Sequence, residues 1–262
     1  MNDDVTAWNV LVNFCGPRDL AELTKESLHV EAHFDQVDVA VLFGGSIVAS
    51  GDVLAKAIQQ GLAKRYLILG GHGHTTTTLR QLMQTELPNL KVTDQSEAEL
   101  FQVYLKAKYN LQADLLETES TNCGNNITNL LSLLDQNGIQ ANSFLLMQDA
   151  SMQRRMAAGL LKCRPAAQVI NYATYQVHFI NDHGRPAFDQ QPNGMWTVER
   201  YQRLLLGEVP RFRDNQAGYG PQGKDFISHV DVPDEVMVAF NQLSQQHPEL
   251  VRAANSAFAS KE

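Results

Sequence analysis

Four apolar runs in this chain each pass straight into a polar turn rich in glycine, serine, asparagine or aspartate. Residues 39–43 lead into Gly44-Gly45-Ser46, and 66–69 into Gly70-Gly71-His72-Gly73-His74. Residues 115–118 lead into Ser120-Thr121-Asn122-Cys123-Gly124, and 144–148 into Asp149. Helix-patterned stretches separate the runs, and strands joined by helical crossovers pair in parallel. The pattern predicts a Rossmann-like open parallel α/β sheet flanked by helices. Ligands of such sheets sit beyond the carboxyl ends of the strands, so the polar turns gather where a ligand would meet them.

The helices carry their own signals. Ser50 is placed to cap a helix with Val53, Leu54, Ala57 and Ile58 on its apolar face, and Gly61 to end it. Ser96-Glu97-Ala98-Glu99 has capping-box spacing ahead of Leu100, Val103, Tyr104 and Ala107. Asn125 and Asn126 precede the apolar positions Ile127, Leu130, Leu131 and Leu134, closed by Asn137-Gly138. A helix over 152–161 and an edge strand over 169–172 complete the alternation.

The expected layout is a ligand-binding domain over 1–175, opening with a helical segment of about residues 1–33 broken at Gly16-Pro17. Residues 176–262 form a smaller, mostly helical C-terminal domain, with helices over 198–206 and 234–243.

Several of these residues could carry chemistry. Gly70-Gly71-His72-Gly73-His74 followed by Thr75 to Thr78 offers amides and hydroxyls to a phosphate or carboxylate, or else a glycine-rich turn with threonine caps. Neither the dinucleotide fingerprint nor the P-loop pattern is present. His72 and His74 lack a third partner at metal-ligand spacing, so no metal is expected and His74 is read as a ligand contact. Ser120, Asn122 and Asn126 are either helix-capping groups or ligand contacts. Asp149 is an N-cap or a polar ligand group, with Gln153 and Arg154 in the turn that follows. Arg154 and Arg155 oppose the helix dipole, which an anionic ligand or the carboxylates Glu97 and Glu119 would offset. Glu97 is either an exposed first-turn carboxylate or a general base or ribose ligand.

Composition removes some partners. Lys plus Arg number 21 against 29 Asp plus Glu, a net charge of -8, which gives no footprint for nucleic acid. Three cysteines without paired spacing, an acidic start and no apolar run of spanning length predict a cytoplasmic protein that stays off membranes. Its partner is then a small-molecule ligand; nothing in the pattern fixes an oligomeric state.

Taken together, Gly44, Gly70-Gly71, Ser96-Glu97-Ala98, Ser120-Thr121-Asn122 and Arg154 resemble the pattern of the ElyC/SanA/YdcF family. Trp196-Thr197-Val198-Glu199-Arg200-Tyr201 and Gly218-Tyr219-Gly220-Pro221 extend the resemblance over most of the chain. Asn125 stands where the family's turn often carries glutamate. The resemblance implies a Rossmann-like domain with a small helical C-terminal domain, and S-adenosylmethionine as ligand without an established reaction. The candidate ligand contacts are Gly44, Gly45, Ser46, Gly70, Gly71, His72, Gly73, His74, Thr76, Glu97, Ser120, Asn122, Asn126, Asp149, Gln153 and Arg154. The alternatives are a hydrolase or transferase for a phosphorylated or sugar-nucleotide metabolite, using His74, Asp149 or Glu97, and a non-catalytic interaction module.

Overall fold

The strands fall where the apolar runs place them: β1 (Val37–Phe43), β2 (Ala63–Leu69), β3 (Leu115–Glu117), β4 (Ser143–Gln148) and β5 (Gln168–Ala173). The computed structural model describes residues 2–89 and 92–251. The five strands form one all-parallel sheet in the order β3-β2-β1-β4-β5, a Rossmann-like arrangement. The chain first builds outward from β1 to β3, then returns to lay β4 on the other side of β1. The strand order therefore reverses between β1 and β4, and in such sheets that is where a crevice opens.

Alternation along the strands sorts their side chains to two faces. Ala40, Leu42, Ile68, Leu145 and Met147 pack against α3 (Ala49–Gln60), α4 (Thr76–Glu86) and α5 (Glu97–Tyr109). Val39, Val41, Phe43, Leu67, Phe144 and Leu146 pack against α6 (Cys123–Gln136) and α7 (Gln153–Cys163). With both faces covered, the central strands read as continuous apolar runs rather than alternating ones. The open edge of β5 is shielded by residues 17–19: Ala173 N donates to Pro17 O and Asp19 N to Asn171 O. Covering an edge in this way leaves fewer unpaired backbone groups for another chain to join.

The remaining elements are α1 (Asn2–Cys15), α2 (Lys25–Ala32), a hairpin of β6 (Phe179–Asp182) and β7 (Arg185–Phe188), α8 (Val198–Phe212), α9 (Asp234–Gln246) and a 3₁₀ turn at Pro248–Leu250. Trp8, Leu11 and Phe14 of α1 share one core with Phe179, Tyr201, Leu205, Phe212, Phe240 and Leu243. So α1 lies against α8 and α9, although more than 180 residues separate it from them in sequence. The hairpin was not anticipated in a region read as helical. Its turn is made by His183 and Gly184, both at positive φ, a conformation that suits a tight hairpin.

Two local expectations need correcting. Ser50 lies inside the first turn of α3 and donates to Thr174 Oγ1 at 2.8 Å; Val48 occupies the cap position without a side-chain bond. Asp149 does not cap α7, whose N-cap is Met152, again without a side-chain bond. The capping box of α5 and the Gly61 terminus of α3 are as the sequence indicates. Among the described residues no helix is long and apolar enough to cross a membrane.

Candidate functional site

The strand ends bring together one group of the anticipated residues around Glu97. Gly44 follows β1 and Gly70 follows β2, and the two backbones touch: Gly44 N donates to Leu69 O at 2.5 Å. A Cβ at Gly44 would lie 2.6 Å from Glu97 Oε2, and one at Gly70 would lie 3.0 Å from Glu97 Cβ. Only glycine leaves Glu97 room between these strand ends. Gly71 is pressed against the turn after β3, where a Cβ would sit 2.4 Å from Ser120 O.

Glu97 is buried, against the expectation of an exposed carboxylate. Its Oε1 accepts hydrogen bonds from Thr75 Oγ1 at 2.8 Å and Thr76 Oγ1 at 2.9 Å. Thr76 Oγ1 in turn accepts from Gly73 N at 2.7 Å, tying the glycine-rich turn to the carboxylate. Burial pushes the Glu97 carboxyl above its usual range, and the two threonine hydroxyls and the charges of His72 and Arg80 pull it back. Desolvation thus outweighs the hydrogen bonds and holds the carboxyl above the ordinary glutamate value.

A cleft of about 420 Å³ lies against the start of α5, lined by His72, Ser96, Glu99, Thr118, Glu119 and Thr121 but not by Glu97 itself. It opens beyond β2 and β3 rather than at the β1–β4 reversal. His72 is exposed, and its Nε2 lies 3.2 Å from Asp94 O, at the entry to α5. Gly73 and His74 are exposed on the same turn. Ser120 is buried and receives Gly71 N on its Oγ at 3.3 Å.

Glu117, not anticipated from the sequence, shapes this turn. Its Oε1 accepts from Glu119 N at 2.7 Å, Ser120 N at 2.9 Å and Asn129 Nδ2 at 2.9 Å. Its Oε2 is buried without a partner. A carboxylate closing a three-residue strand ahead of a polar turn was the available signal.

At the β1–β4 reversal, Gly45 has open space where a Cβ would be, with Gln148 Oε1 3.9 Å away. Ser46 is buried, and among the described residues its Oγ has no hydrogen-bond partner; the buried Asn126 Oδ1 at the start of α6 likewise has none among them. Buried polar atoms are seldom left unbonded, so these two ask for a ligand or solvent partner.

Four anticipated contacts have structural duties instead. Asn122 caps α6, accepting Gly124 N at 2.9 Å and Asn125 N at 3.0 Å, while Asn125 completes the capping box in place of glutamate. Gln153 is buried, accepting from Gln148 N and donating to Leu146 O and Asn171 Oδ1. Arg154 turns away from the crevice, donating through Nε to Phe14 O with its guanidinium 4.4 Å above the Phe14 ring. Arg155 forms a two-pronged pair with Glu208 at 2.6 and 3.0 Å, so neither arginine answers Glu97 or Glu119. What offsets Arg155 in the first turn of α7 is a glutamate of α8.

Asp149 is the fourth. Its Oδ1 accepts from Ser151 N, Ser151 Oγ and Tyr175 OH at 2.8, 2.6 and 2.8 Å, and its Oδ2 from Trp196 Nε1 at 2.8 Å. A buried carboxylate with four donors on it is a hub, not a free base. Cys123 Sγ lies 3.7 Å from Met152 Sδ, with no histidine bonded to it. Among the described residues no cluster of three or more His, Cys, Asp or Glu is arranged to hold a metal ion. No protein-family model matches the chain.

Proposed function

We propose that this protein binds a small nucleoside-type molecule, with S-adenosylmethionine the leading candidate, in the crevice beyond the carboxyl ends of β1, β2 and β3. The observation that carries this reading is Glu97, a buried carboxylate oriented by Thr75 and Thr76 at a spot kept clear by two glycines. A carboxylate so placed suits ribose hydroxyls, which donate to it, or the positive charge of a sulfonium. Arg154 and Arg155, the cations a phosphorylated ligand would call on, are committed to Phe14 and Glu208, which weighs against a phosphate-led ligand. On this reading the chain is a cytoplasmic member of the ElyC/SanA/YdcF group, with Cys15, Cys123 and Cys163 as free thiols.

A hydrolase or transferase acting on a phosphorylated or sugar-nucleotide metabolite is the second reading. The raised Glu97 carboxyl favours it as an acid–base group, with His74 on the neighbouring turn and without Asp149.

Calorimetry with S-adenosylmethionine, ATP and a sugar nucleotide on the wild type and on Glu97→Gln tests the choice. Binding of S-adenosylmethionine that Glu97→Gln weakens about tenfold, as loss of one charge-assisted hydrogen bond implies, supports the first reading. No heat at saturating S-adenosylmethionine rejects it, and heat with a phosphorylated competitor alone moves the conclusion to the second.

A further inference from the structure

Between β7 and α8 the chain runs across the β1–β4 end of the crevice, and none of residues 189–197 is itself buried. What lies beneath is different: Ser46, Ile47 and Asp149 are 1, 1 and 4 % exposed. The crossing chain is anchored at its start, where Asp189 N donates to His178 O at 3.0 Å, Asp189 Oδ1 accepts from His178 N at 2.9 Å and Gln190 Nε2 donates to Gln176 O, and beyond that it is held over the crevice at three points. Gly194, at φ 83°, lies so close to the turn after β1 that a Cβ would come within 2.8 Å of Ser46 O and Val48 N. Asn193 O accepts from Ala49 N at 3.1 Å, and Asn193 Nδ2 donates to Glu86 Oε2 at 2.9 Å. Trp196 Nε1 donates to Asp149 Oδ2 at 2.8 Å.

We propose that residues 189–197 are a strap that opens and closes over the β1–β4 end of the crevice, with the Trp196–Asp149 hydrogen bond as its latch. Segments with few buried contacts and a handful of hydrogen bonds are the ones that open locally, well below the free energy of global unfolding. Under the closed strap the Ser46 hydroxyl has no partner among the described residues, and a Cβ at Gly45 would have room, 3.9 Å from Gln148 Oε1. The Asp149 carboxylate at this end is consumed by the latch and its three other donors. The recess therefore suits an uncharged hydroxyl or amide of a ligand whose other end meets Glu97. Asp149 becomes a positioning residue that acts through Trp196. The gating role rests on the ligand reading above; the opening itself does not.

Thiol labelling tests the opening without any ligand. Ser46→Cys is placed in a background of Cys123→Ser and Cys163→Ser, Cys15 being fully buried. Its labelling by 5,5′-dithiobis(2-nitrobenzoate) is expected to be slow but faster than global unfolding. Adding Trp196→Phe, which removes the bond to Asp149, or independently Asn193→Ala, which removes the bond to Glu86, is expected to speed labelling about tenfold, the effect of losing a hydrogen bond to a carboxylate. Hydrogen exchange at the Ala49 amide, bonded to Asn193 O, gives the same readout without altering Ser46. Labelling and exchange confined to the rate of global unfolding, or indifferent to both Trp196→Phe and Asn193→Ala, overturn the strap. Calorimetry with S-adenosylmethionine on the wild type then separates the two claims: silence there removes the ligand reading and leaves the labelling result to decide the strap.

Discussion

At the scale of single residues, Glu97 and Asp149 are both buried carboxylates at strand ends, and their surroundings give them opposite roles. Asp149 has its hydrogen-bonding capacity filled by Ser151, Tyr175 and Trp196, so Asp149→Ala strands several buried donors. Each stranded donor costs about 1–3 kcal/mol, and we expect a total loss of roughly 3 kcal/mol or more in urea unfolding. A loss below about 1 kcal/mol would show that the hub is not holding the strand ends together. Glu97 behaves differently because burial raises its carboxyl pKa. A carboxyl whose folded value lies above the unfolded one favours the folded state while protonated and opposes it once ionised, so its cost appears as pH rises. Glu97→Gln is therefore expected to be more thermally stable than the wild type near neutral pH, the gap closing as pH falls below about 4, where the unfolded glutamate is also protonated. A wild type that outlasts Glu97→Gln at neutral pH would contradict the desolvation account. Glu97 was named from its place in a capping box, yet its burial was illegible, because nothing local indicates that Gly44 and Gly70 will close around it. Asp149 was misread for a similar reason: its donors Tyr175 and Trp196 lie far along the chain.

At the scale of elements, the helix starts divide into those with local caps and those fixed by distant contacts. Ser96 and Asn122 do what their sequence positions suggest, since a capping box needs only residues three apart. The starts of α3, α4 and α7 have no side-chain cap and depend on tertiary contacts that the sequence does not print. The connector between α8 and α9 shows a third device. Asp214 accepts Gln222 N on Oδ1 at 2.6 Å and faces His229 Nδ1 on Oδ2 at 2.8 Å, while His229 Nε2 lies 3.1 Å from Asp231 Oδ1. The hydrogen bonds to Asp214 and Asp231 raise the His229 pKa, and the Gln222 amide, followed by His229, lowers that of Asp214. The histidine's contribution is present below its unfolded pKa of about 6.5 and lost as pH rises through the raised folded value; the aspartate's is present above its unfolded value of about 3.9 and lost in acid. His229→Gln should therefore lower the thermal midpoint at about pH 5.5 and leave it unchanged at about pH 8.5. Equal effects at both values would mean that the charge on His229 is irrelevant to the connector.

At the scale of the whole molecule, the parallel sheet and its flanking helices were legible because alternation of strand and helix leaves few ways to build such a sheet, whereas the order of the strands was not. The β6–β7 hairpin was not, since its four-residue strands carry Pro186 and mostly exposed side chains. Nor was the partner of α1, because an apolar stripe announces that it will be covered without saying by what. Trp8 is 1 % exposed in a core supplied largely by the hairpin, α8 and α9, with Ala158 of α7 and Ala173 of β5 at its margin. Trp8→Ala should cost about 3–5 kcal/mol and weaken the far end of the chain as much as the near one. Matching losses of hydrogen-exchange protection in α1 and α9 would confirm this, and loss confined to α1 would refute it.

That closure has a consequence for synthesis. The ribosome delivers α9 about 230 residues after α1, which at some 5–20 residues per second is a wait of roughly ten to fifty seconds. Until then Trp8, Leu11 and Phe14 lack the α8 and α9 part of their core, and α7, β5 and the neighbouring turns offer them partial cover. The nascent protein thus carries a partly uncovered apolar helix until α9 is made, which makes α1 a segment a chaperone would hold.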